Sequence, residues 1–131
     1  MGNALTKVKH ISPMLVVEDM NATVEFYVGI LGFTASLKSD VYSILERDGQ
    51  TIHLTLAEDD RVMEHVRNHA SIYIEVEGID ALWANVRMHK GEFSTRDLFE
   101  QPYRMREFHI SDPNNCLVFV GESLIGKGVD S

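Results

Sequence analysis

The sequence has a single cysteine, Cys116, and only three prolines in 131 residues. One cysteine cannot form an intrachain disulfide, so a disulfide-stapled scaffold is excluded and a reducing, cytoplasmic location is expected. No apolar run approaches the ~18 residues that a membrane span requires. We therefore expect no membrane as a partner.

Positive charge is scarce as well. Twelve Lys and Arg stand against twenty Asp and Glu, which gives a formal net charge of −8. Nucleic acid is excluded as an expected partner, because binding its backbone needs clustered basic residues. A neutral or cationic small molecule suits this balance better, although acidity also serves solubility alone.

The length and composition are those of a globular domain, with 44% hydrophobic and 24% charged residues. We expect a single domain over residues 1–131 with an α+β fold. It divides into a first module over about 10–57, a linker with a short helix over 58–69, a second module over about 70–121 and a flexible tail over 122–131. Each module has the order β-α-β-β-β.

The first module begins with a β-rich alternating segment over residues 10–17. Asp19 is placed to cap a helix, and Gly32 is placed to end it. Strands are predicted over 33–37, 41–47 and 51–56. Asp48-Gly49 is a hairpin signal between the last two, because both residues tolerate positive φ.

The second module repeats this order. A strand is predicted over residues 71–76, and Asp80 is placed to cap a helix that ends near Gly91. A short strand over 92–95, a loop, and strands over 106–111 and 116–121 follow, with a turn at 112–115 between the last two. Such a repeat implies that two modules pack side by side, because one alone leaves a sheet face uncovered.

Alternation along the strands divides their side chains between a helix-covered face and an open, concave face. The helix-covered sets are uniformly apolar and include Cys116, which is therefore predicted to be a buried small hydrophobe. The concave set is mixed, and it comprises Ser12, Met14, Val16, Thr51, His53, Thr55, Ser71, Tyr73, Glu75, Glu107, His109, Leu117 and Phe119.

The repeated modules and several local motifs resemble the vicinal oxygen chelate superfamily, which includes glyoxalases, extradiol dioxygenases and bleomycin resistance proteins. The motifs are Val-Val-Glu-Asp at residues 16–19, Glu-Phe-Tyr at 25–27, Leu-Gly-Phe at 31–33, Glu-Gln-Pro-Tyr at 100–103, Arg-Glu-Phe at 106–108 and Asp-Pro-Asn-Asn-Cys at 112–116. The last three look most like the bleomycin resistance branch. The resemblance implies an open, curved mixed sheet with helices on its convex side.

The resemblance also locates the metal positions of the metal-dependent members. Carried over to this chain, they fall on Ser12, His53, Ser71 and Phe119. Only His53 is a good ligand type, because serine hydroxyls bind transition metals poorly and phenylalanine has no donor. We therefore predict no metal and no cofactor. The alternative is a displaced site of His10, His53 and His69 with Glu75, Glu107 or His109.

The predicted ligand site combines aromatic faces with hydrogen-bond acceptors, as a pocket for a flat, partly cationic molecule would. Its residues are His53, Tyr73, Glu75, Tyr103, Glu107, His109 and Phe119, of which Tyr103 is carried over from the bleomycin-binding branch. In the alternative interpretation the rings only fill the barrel, and Glu107 pairs with Arg104 or Arg106. Arg104 occupies the position where that branch has glycine, and an arginine adopts positive φ only at a cost.

From these features we expect a metal-free, bleomycin-resistance-like protein that binds or sequesters a small molecule. We expect a binding protein and not an enzyme. We expect a homodimer, because Met14, Val16, Leu117 and Phe119 would otherwise line an exposed apolar trough. Two alternatives stay open. One is a metal-dependent lyase, isomerase, thiol transferase or dioxygenase of the same superfamily, and the other is a non-catalytic immunity or regulatory module.

Overall fold

The computed structural model describes residues 5–125, and these residues form two β-α-β-β-β modules joined by a helix. The α+β class is as predicted. Within the described residues the elements are β1 (Met14–Val17), α1 (Met20–Gly29), β2 (Thr34–Lys38), β3 (Tyr42–Arg47), β4 (Gln50–Leu56), α2 (Asp60–Val66), β5 (Ser71–Glu75), α3 (Ile79–Val86), a 3₁₀ helix (Arg87–His89), β6 (Thr95–Gln101), β7 (Met105–Ser111) and β8 (Leu117–Ser123).

The strands form two four-stranded mixed sheets with the same topology. Their orders are β1-β4-β3-β2 and β5-β8-β7-β6. In each sheet the first strand of the module runs parallel to the last, and the remaining pairs are antiparallel. The internal repeat inferred from the sequence is therefore present in the strand pairing.

Helix α1 follows the sequence closely. The Asp19 carboxylate accepts a hydrogen bond from the Ala22 amide at 3.0 Å and caps the helix. The helix buries Val24 and Tyr27 against the sheet. Gly32, just beyond it, has φ +80°, the left-handed conformation that glycine adopts without strain.

The predicted turns also adopt the expected backbone. Asp48 and Gly49 have φ +52° and +81°, the pattern of a tight hairpin turn between β3 and β4. Asn115, between β7 and β8, has φ +60°, which its short polar side chain tolerates.

Several predicted boundaries are wrong. Strand β1 begins at Met14 rather than at residue 10. Helix α3 is capped by Gly78 and not by Asp80, because the Glu122 carboxylate accepts the Gly78 and Ile79 amides at 3.2 and 3.0 Å. A carboxylate at a helix N-terminus accepts hydrogen bonds from the free amides and interacts favourably with the positive end of the helix dipole.

The predicted tail also starts too early. Glu122 and Ser123 continue β8, and Glu122 is buried. The rest of that tail, from residue 126, lies outside the described residues.

Strand β6 is the largest departure. The predicted strand over residues 92–95 is wrong, and the strand runs over Thr95–Gln101 with a bulge between Arg96 and Phe99. The bulge disrupts the period-two pattern that would reveal a strand. This strand matters for the site because it carries Gln101.

One hydrophobic core spans both modules. Phe26 on α1 meets Phe93 of the second module with ring centroids 4.9 Å apart. The Tyr27 hydroxyl donates to the Asp112 carboxylate at 2.8 Å. Cys116 is buried as predicted, and burial together with the Asp112 charge raises the pKa of its thiol to about 12.

Within residues 5–125, the helices lack the length and apolar character needed to cross a bilayer.

Candidate functional site

A buried carboxylate lies at the centre of the concave face of the second sheet. Glu107 on β7 is fully buried, although an isolated charge there would be strongly unfavourable. Its Oε2 accepts hydrogen bonds from the Tyr73 and Tyr103 hydroxyls at 2.6 and 2.7 Å. Its Oε1 lies 3.2 Å from the Gln101 amide nitrogen and 3.1 Å from His109 Nε2. We call these five residues the Glu107 cluster.

These hydrogen bonds keep Glu107 ionised. Burial favours the neutral acid and raises the pKa, but the bonds from Tyr73, Tyr103, His109 and Gln101 outweigh it and lower the pKa to about 2. The pKa of Tyr73 is raised by desolvation and then by its bond to Glu107. The pKa of Tyr103 is raised first by that same bond. At neutral pH the cluster therefore holds one carboxylate and two protonated phenols.

The two tyrosine rings face outwards from this carboxylate. Tyr73 is 47% exposed and Tyr103 is 55% exposed, although the hydroxyls of both reach a fully buried group. Large half-exposed rings with anchored hydroxyls suit stacking against another flat molecule. Anchoring also removes rotamer freedom before any ligand arrives.

Phe119 on β8 extends the aromatic surface. It stacks on Tyr73 with centroids 6.2 Å apart and planes at 14°, and it meets His109 at 4.3 Å. Phe99 on β6 contacts the other side of His109 at 5.2 Å, and the Arg96 guanidinium lies 3.5 Å from the Phe99 centroid. The result is a continuous row of rings across the four strands of the second sheet.

Gly121 makes room for Tyr73 to reach Glu107. Gly121 on β8 pairs with Glu75 on one side and Glu107 on the other, so the Tyr73 ring crosses the strand directly above it. A Cβ at this position would overlap the Tyr73 hydroxyl oxygen and come within 2.9 Å of Tyr73 Cζ. The missing side chain is thus a requirement of the hydrogen bond.

Tyr103 lies in the tight turn between β6 and β7. The Arg104 amide donates to the Gln101 carbonyl at 3.1 Å, and the Arg104 carbonyl accepts from Leu124 at 2.9 Å. Arg104 has φ +67°, so an arginine adopts the conformation that suits glycine. The Tyr103 side chain leaves this turn with its hydroxyl 2.7 Å from Glu107 Oε2.

The alternative pairing of Glu107 with an arginine is wrong. The Arg106 side chain points to the other face of β7, where its guanidinium pairs with the Asp80 carboxylate at 2.9 Å. Arg104 is exposed. The hydrogen-bond partners of Glu107 are instead Tyr73, Tyr103, Gln101 and His109.

Three predicted site residues lie outside the Glu107 cluster, and one of them, Phe119, packs against it. Glu75 is exposed on β5, two residues from Tyr73 and on the same face. His53 belongs to the first sheet, where its Nδ1 hydrogen-bonds the Tyr42 hydroxyl and the two rings meet at 5.6 Å. The structure therefore brings together Tyr73, Tyr103, Glu107, His109 and Phe119, places Glu75 beside them and leaves His53 with Tyr42.

A cleft between the modules reaches this surface. It has a volume of about 310 Å³, comparable with small ligand pockets. Tyr73 and Glu75 line one side, and Phe33, Gln50 and Thr51 of the first module line the other. A molecule lying on Tyr73 can thus contact both modules.

The positions equivalent to metal ligands do not fit a metal. Ser12 hydrogen-bonds Thr51, His53 Nδ1 hydrogen-bonds Tyr42, and Phe119 has no donor atom. Across residues 5–125, no three His, Cys, Asp or Glu side chains come close enough together to hold an ion. The displaced set of His10, His53 and His69 is therefore not assembled.

Sequence reasoning missed four residues of this region. Gln101 and Phe99 lie on the bulged strand β6, which the pattern did not reveal. Gly121 looked like an ordinary end to the last strand, although a glycine inside a β-rich segment signals a close approach. Tyr42, the partner of His53, follows from strand alternation only once the β3–β4 register is known.

Comparison with known proteins agrees with this architecture. Residues 7–119 match the model of the family described as the Glyoxalase/Bleomycin resistance protein/Dioxygenase superfamily. The bleomycin resistance proteins of Geobacillus stearothermophilus and Staphylococcus aureus are 29% identical to the chain over 119 residues, covering 81% of this chain and 90% of theirs.

Solved structures show the same fold. A bleomycin-binding protein from Streptomyces verticillus, complexed with copper(II)-bleomycin, matches with a TM-score of 0.73 at 23% identity, covering 91% of this chain and 99% of that one. A glyoxalase-related enzyme from Clostridium phytofermentans matches with a TM-score of 0.71 at 23% identity, covering 92% and 98%. With the family match over residues 7–119, these findings establish that the chain belongs to the glyoxalase/bleomycin resistance protein/dioxygenase superfamily.

Proposed function

We propose that this chain binds a small, flat aromatic or heteroaromatic molecule, neutral or positively charged, against Tyr73, Tyr103 and Phe119. The observation that carries the proposal is the pair of half-exposed tyrosine rings anchored through their hydroxyls to one buried carboxylate. A third ring, Phe119, stacks on the first. Each aromatic contact with a ligand contributes about 0.5–1.5 kcal/mol beyond the area that it buries.

Electrostatics supports a neutral or cationic ligand. Glu107 is ionised behind the rings, and Glu75 is exposed beside them. Negative charge behind a phenol strengthens the attraction of its ring for a cation. An anion would lose its hydration while meeting like charge in a protein of net charge −8. Arg104 adds one positive charge beside Tyr103, so the proposal names a class of ligand and not bleomycin itself.

Binding without a metal is part of the proposal. The metal-equivalent positions are Ser12, His53, Ser71 and Phe119, and two of their polar side chains already have partners. Elemental analysis of untagged protein tests this directly. We expect no stoichiometric transition metal, whereas near-stoichiometric Zn, Ni, Mn or Fe would favour the metal-dependent enzymes of the family.

We also propose a cytoplasmic homodimer that does not bind nucleic acid. Large apolar side chains are exposed along the segment that leads into β1, namely Leu5, Val8, Ile11 and Met14. Four large exposed apolar side chains within ten residues suit a surface that another chain covers. Sedimentation equilibrium should give about twice 14.8 kDa, and a clean monomer at micromolar concentration would contradict the dimer. The single, buried Cys116 is consistent with a reducing compartment.

The binding site is tested by thermal shift and calorimetry with naphthylmethylammonium, a flat cationic probe. We expect saturable binding that is lost in Phe119→Ala and weakened in Glu75→Gln. Glu64→Gln, an equal charge change at an exposed position of α2, is the matched control and should bind normally. Stabilisation only by glutathione conjugates or small organic phosphates would refute the proposal and favour a lyase or transferase.

A further inference from the structure

The ionised carboxylate of Glu107 determines the direction of every hydrogen bond around it. An ionised carboxylate has no proton to give and can only accept. The Tyr73 and Tyr103 hydroxyls, the Gln101 amide nitrogen and His109 Nε2 must therefore all act as donors towards it. Each of the four groups therefore directs one proton at Glu107 and cannot donate that proton to a ligand.

For the two tyrosines, this direction leaves no proton for a ligand. A phenol has one O–H donor, and in both residues it points inwards at Glu107 Oε2. The hydroxyl oxygens keep lone pairs. What the tyrosines offer a ligand, besides their rings, are acceptors.

His109 follows the same logic. Its Nε2 donates to Glu107, and in the tautomer that this bond selects the other ring nitrogen, Nδ1, is an acceptor. The ring is held between Phe99 and Phe119, so it cannot easily turn over to present the other nitrogen. Glu107 therefore sets the tautomer of His109 as well as the phenol orientations.

Glu75 adds a further acceptor on the same face. Its exposed carboxylate makes no hydrogen bond or ion pair with residues 5–125, and it is two residues from Tyr73 on β5. The tyrosine end of the aromatic row thus presents hydrogen-bond acceptors from four different side chains, whereas the Arg96 guanidinium lies at the other end of the row, over Phe99.

We propose that this site selects aromatic ligands that carry several N–H donors, such as amines, amidines or guanidines, and that Glu107 is the positioning residue that sets this preference without touching the ligand. The inference rests on the proposed function, since it specifies which aromatic molecules the same site accepts. It differs from a preference for positive charge, because a cation without N–H groups would satisfy charge but not the acceptors.

Two probes with the same ring and charge separate these ideas. Naphthylmethylammonium carries three N–H donors, and its N,N,N-trimethyl derivative carries none. Calorimetry on the full chain should give at least about tenfold tighter binding for the first, as expected for one or two hydrogen bonds to charged groups. Naphthylacetate, a carboxylate that could use the exposed Arg104, should bind more weakly than either.

Variants test whether the acceptors cause the difference. Tyr103→Phe keeps the ring but removes the acceptor oxygen and the anchor to Glu107, so it should weaken binding of the N–H probe more than binding of the trimethyl probe and reduce the preference between them. Glu107→Gln can donate as well as accept, which lets one phenol turn its proton outwards. It should also reduce the preference. Tyr103→Phe keeps the test decisive if Glu107→Gln folds poorly.

The outcomes distinguish this inference from the proposed function. If neither cation binds, the proposed function itself fails. If both bind equally well, or if the preference persists unchanged in Tyr103→Phe, the site binds cationic aromatics but the acceptor inference is wrong. If naphthylacetate binds as tightly as the ammonium probe, Arg104 rather than the acceptor row determines specificity, and the inference is overturned.

Discussion

Replacing Gly121 with alanine tests how the tyrosine surface is built. The added Cβ would overlap the Tyr73 hydroxyl and approach Tyr73 Cζ at 2.9 Å and Met105 Cε at 3.2 Å. The backbone of Gly121 accepts alanine, because its φ is not positive. The tyrosine must therefore swing away from β8, and its 2.6 Å bond to Glu107 breaks.

The size of the effect follows from two opposing terms. Loss of a hydrogen bond to a charged group costs about 1.5–3 kcal/mol, although Tyr73 is 47% exposed and its displaced hydroxyl can bond to water. Replacing glycine with alanine within a strand raises the free energy of unfolding by about 0.5–1 kcal/mol. We therefore expect Gly121→Ala to lower the free energy of unfolding by about 1–2 kcal/mol.

A double-mutant cycle with Tyr73→Ala isolates this contact. Without the tyrosine ring nothing remains for the Cβ to displace except the end of Met105, so Gly121→Ala should be neutral or stabilising in that background. Equilibrium denaturation of the four proteins gives the coupling free energy. Additive effects of the two substitutions would refute the close approach of Tyr73 to Gly121.

Three further substitutions have defined outcomes in the same denaturation assay. Arg104→Gly should stabilise the protein by about 0.5–1 kcal/mol, because it relieves a positive φ of +67°, and destabilisation would contradict that strain. Glu107 has a folded pKa of about 2 against an ordinary 4.5, so its stabilising effect is complete above pH 4.5 and is lost as the pH falls towards 2. The stability difference between wild type and Glu107→Gln should thus be about 2 kcal/mol smaller at pH 3 than at pH 7, and a constant difference would be inconsistent with an ionised Glu107. Tyr27→Phe should cost about 1–3 kcal/mol, because it removes a buried donor at 2.8 Å from Asp112, and an unchanged midpoint would show that this bond contributes nothing.

The parts of the fold that the sequence predicts are those with local causes. The Asp19 cap, the Asp48-Gly49 turn and the left-handed Asn115 each depend on a few neighbouring residues. The alternation of strands then assigns side chains to the concave face, which is how Tyr73 and Phe119 could be selected together. Their stacking at 6.2 Å follows from the pairing of β5 with β8.

The parts that the sequence does not predict have causes far along the chain. Glu122 replaces Asp80 as the partner of the α3 N-terminus because β8 brings it there from 43 residues away. Glu107 was predicted to face the ligand, but it is buried. The residues that hydrogen-bond it come from β5, β6, the following turn and β7 itself. Its burial behind two tyrosines depends on the register of three strands, which no local pattern specifies.

The most direct test of the account is an NMR titration of nitrogen-labelled protein with naphthylmethylammonium. The account predicts saturable shifts that centre on the amides of Tyr73, Tyr103 and Phe119, with contacts between ligand protons and the protons of those rings. Phe119→Ala should abolish both. Saturable binding whose shifts map to the opposite face of the sheet, or no binding at millimolar ligand, would contradict the claim that the tyrosines anchored to Glu107 form the binding surface.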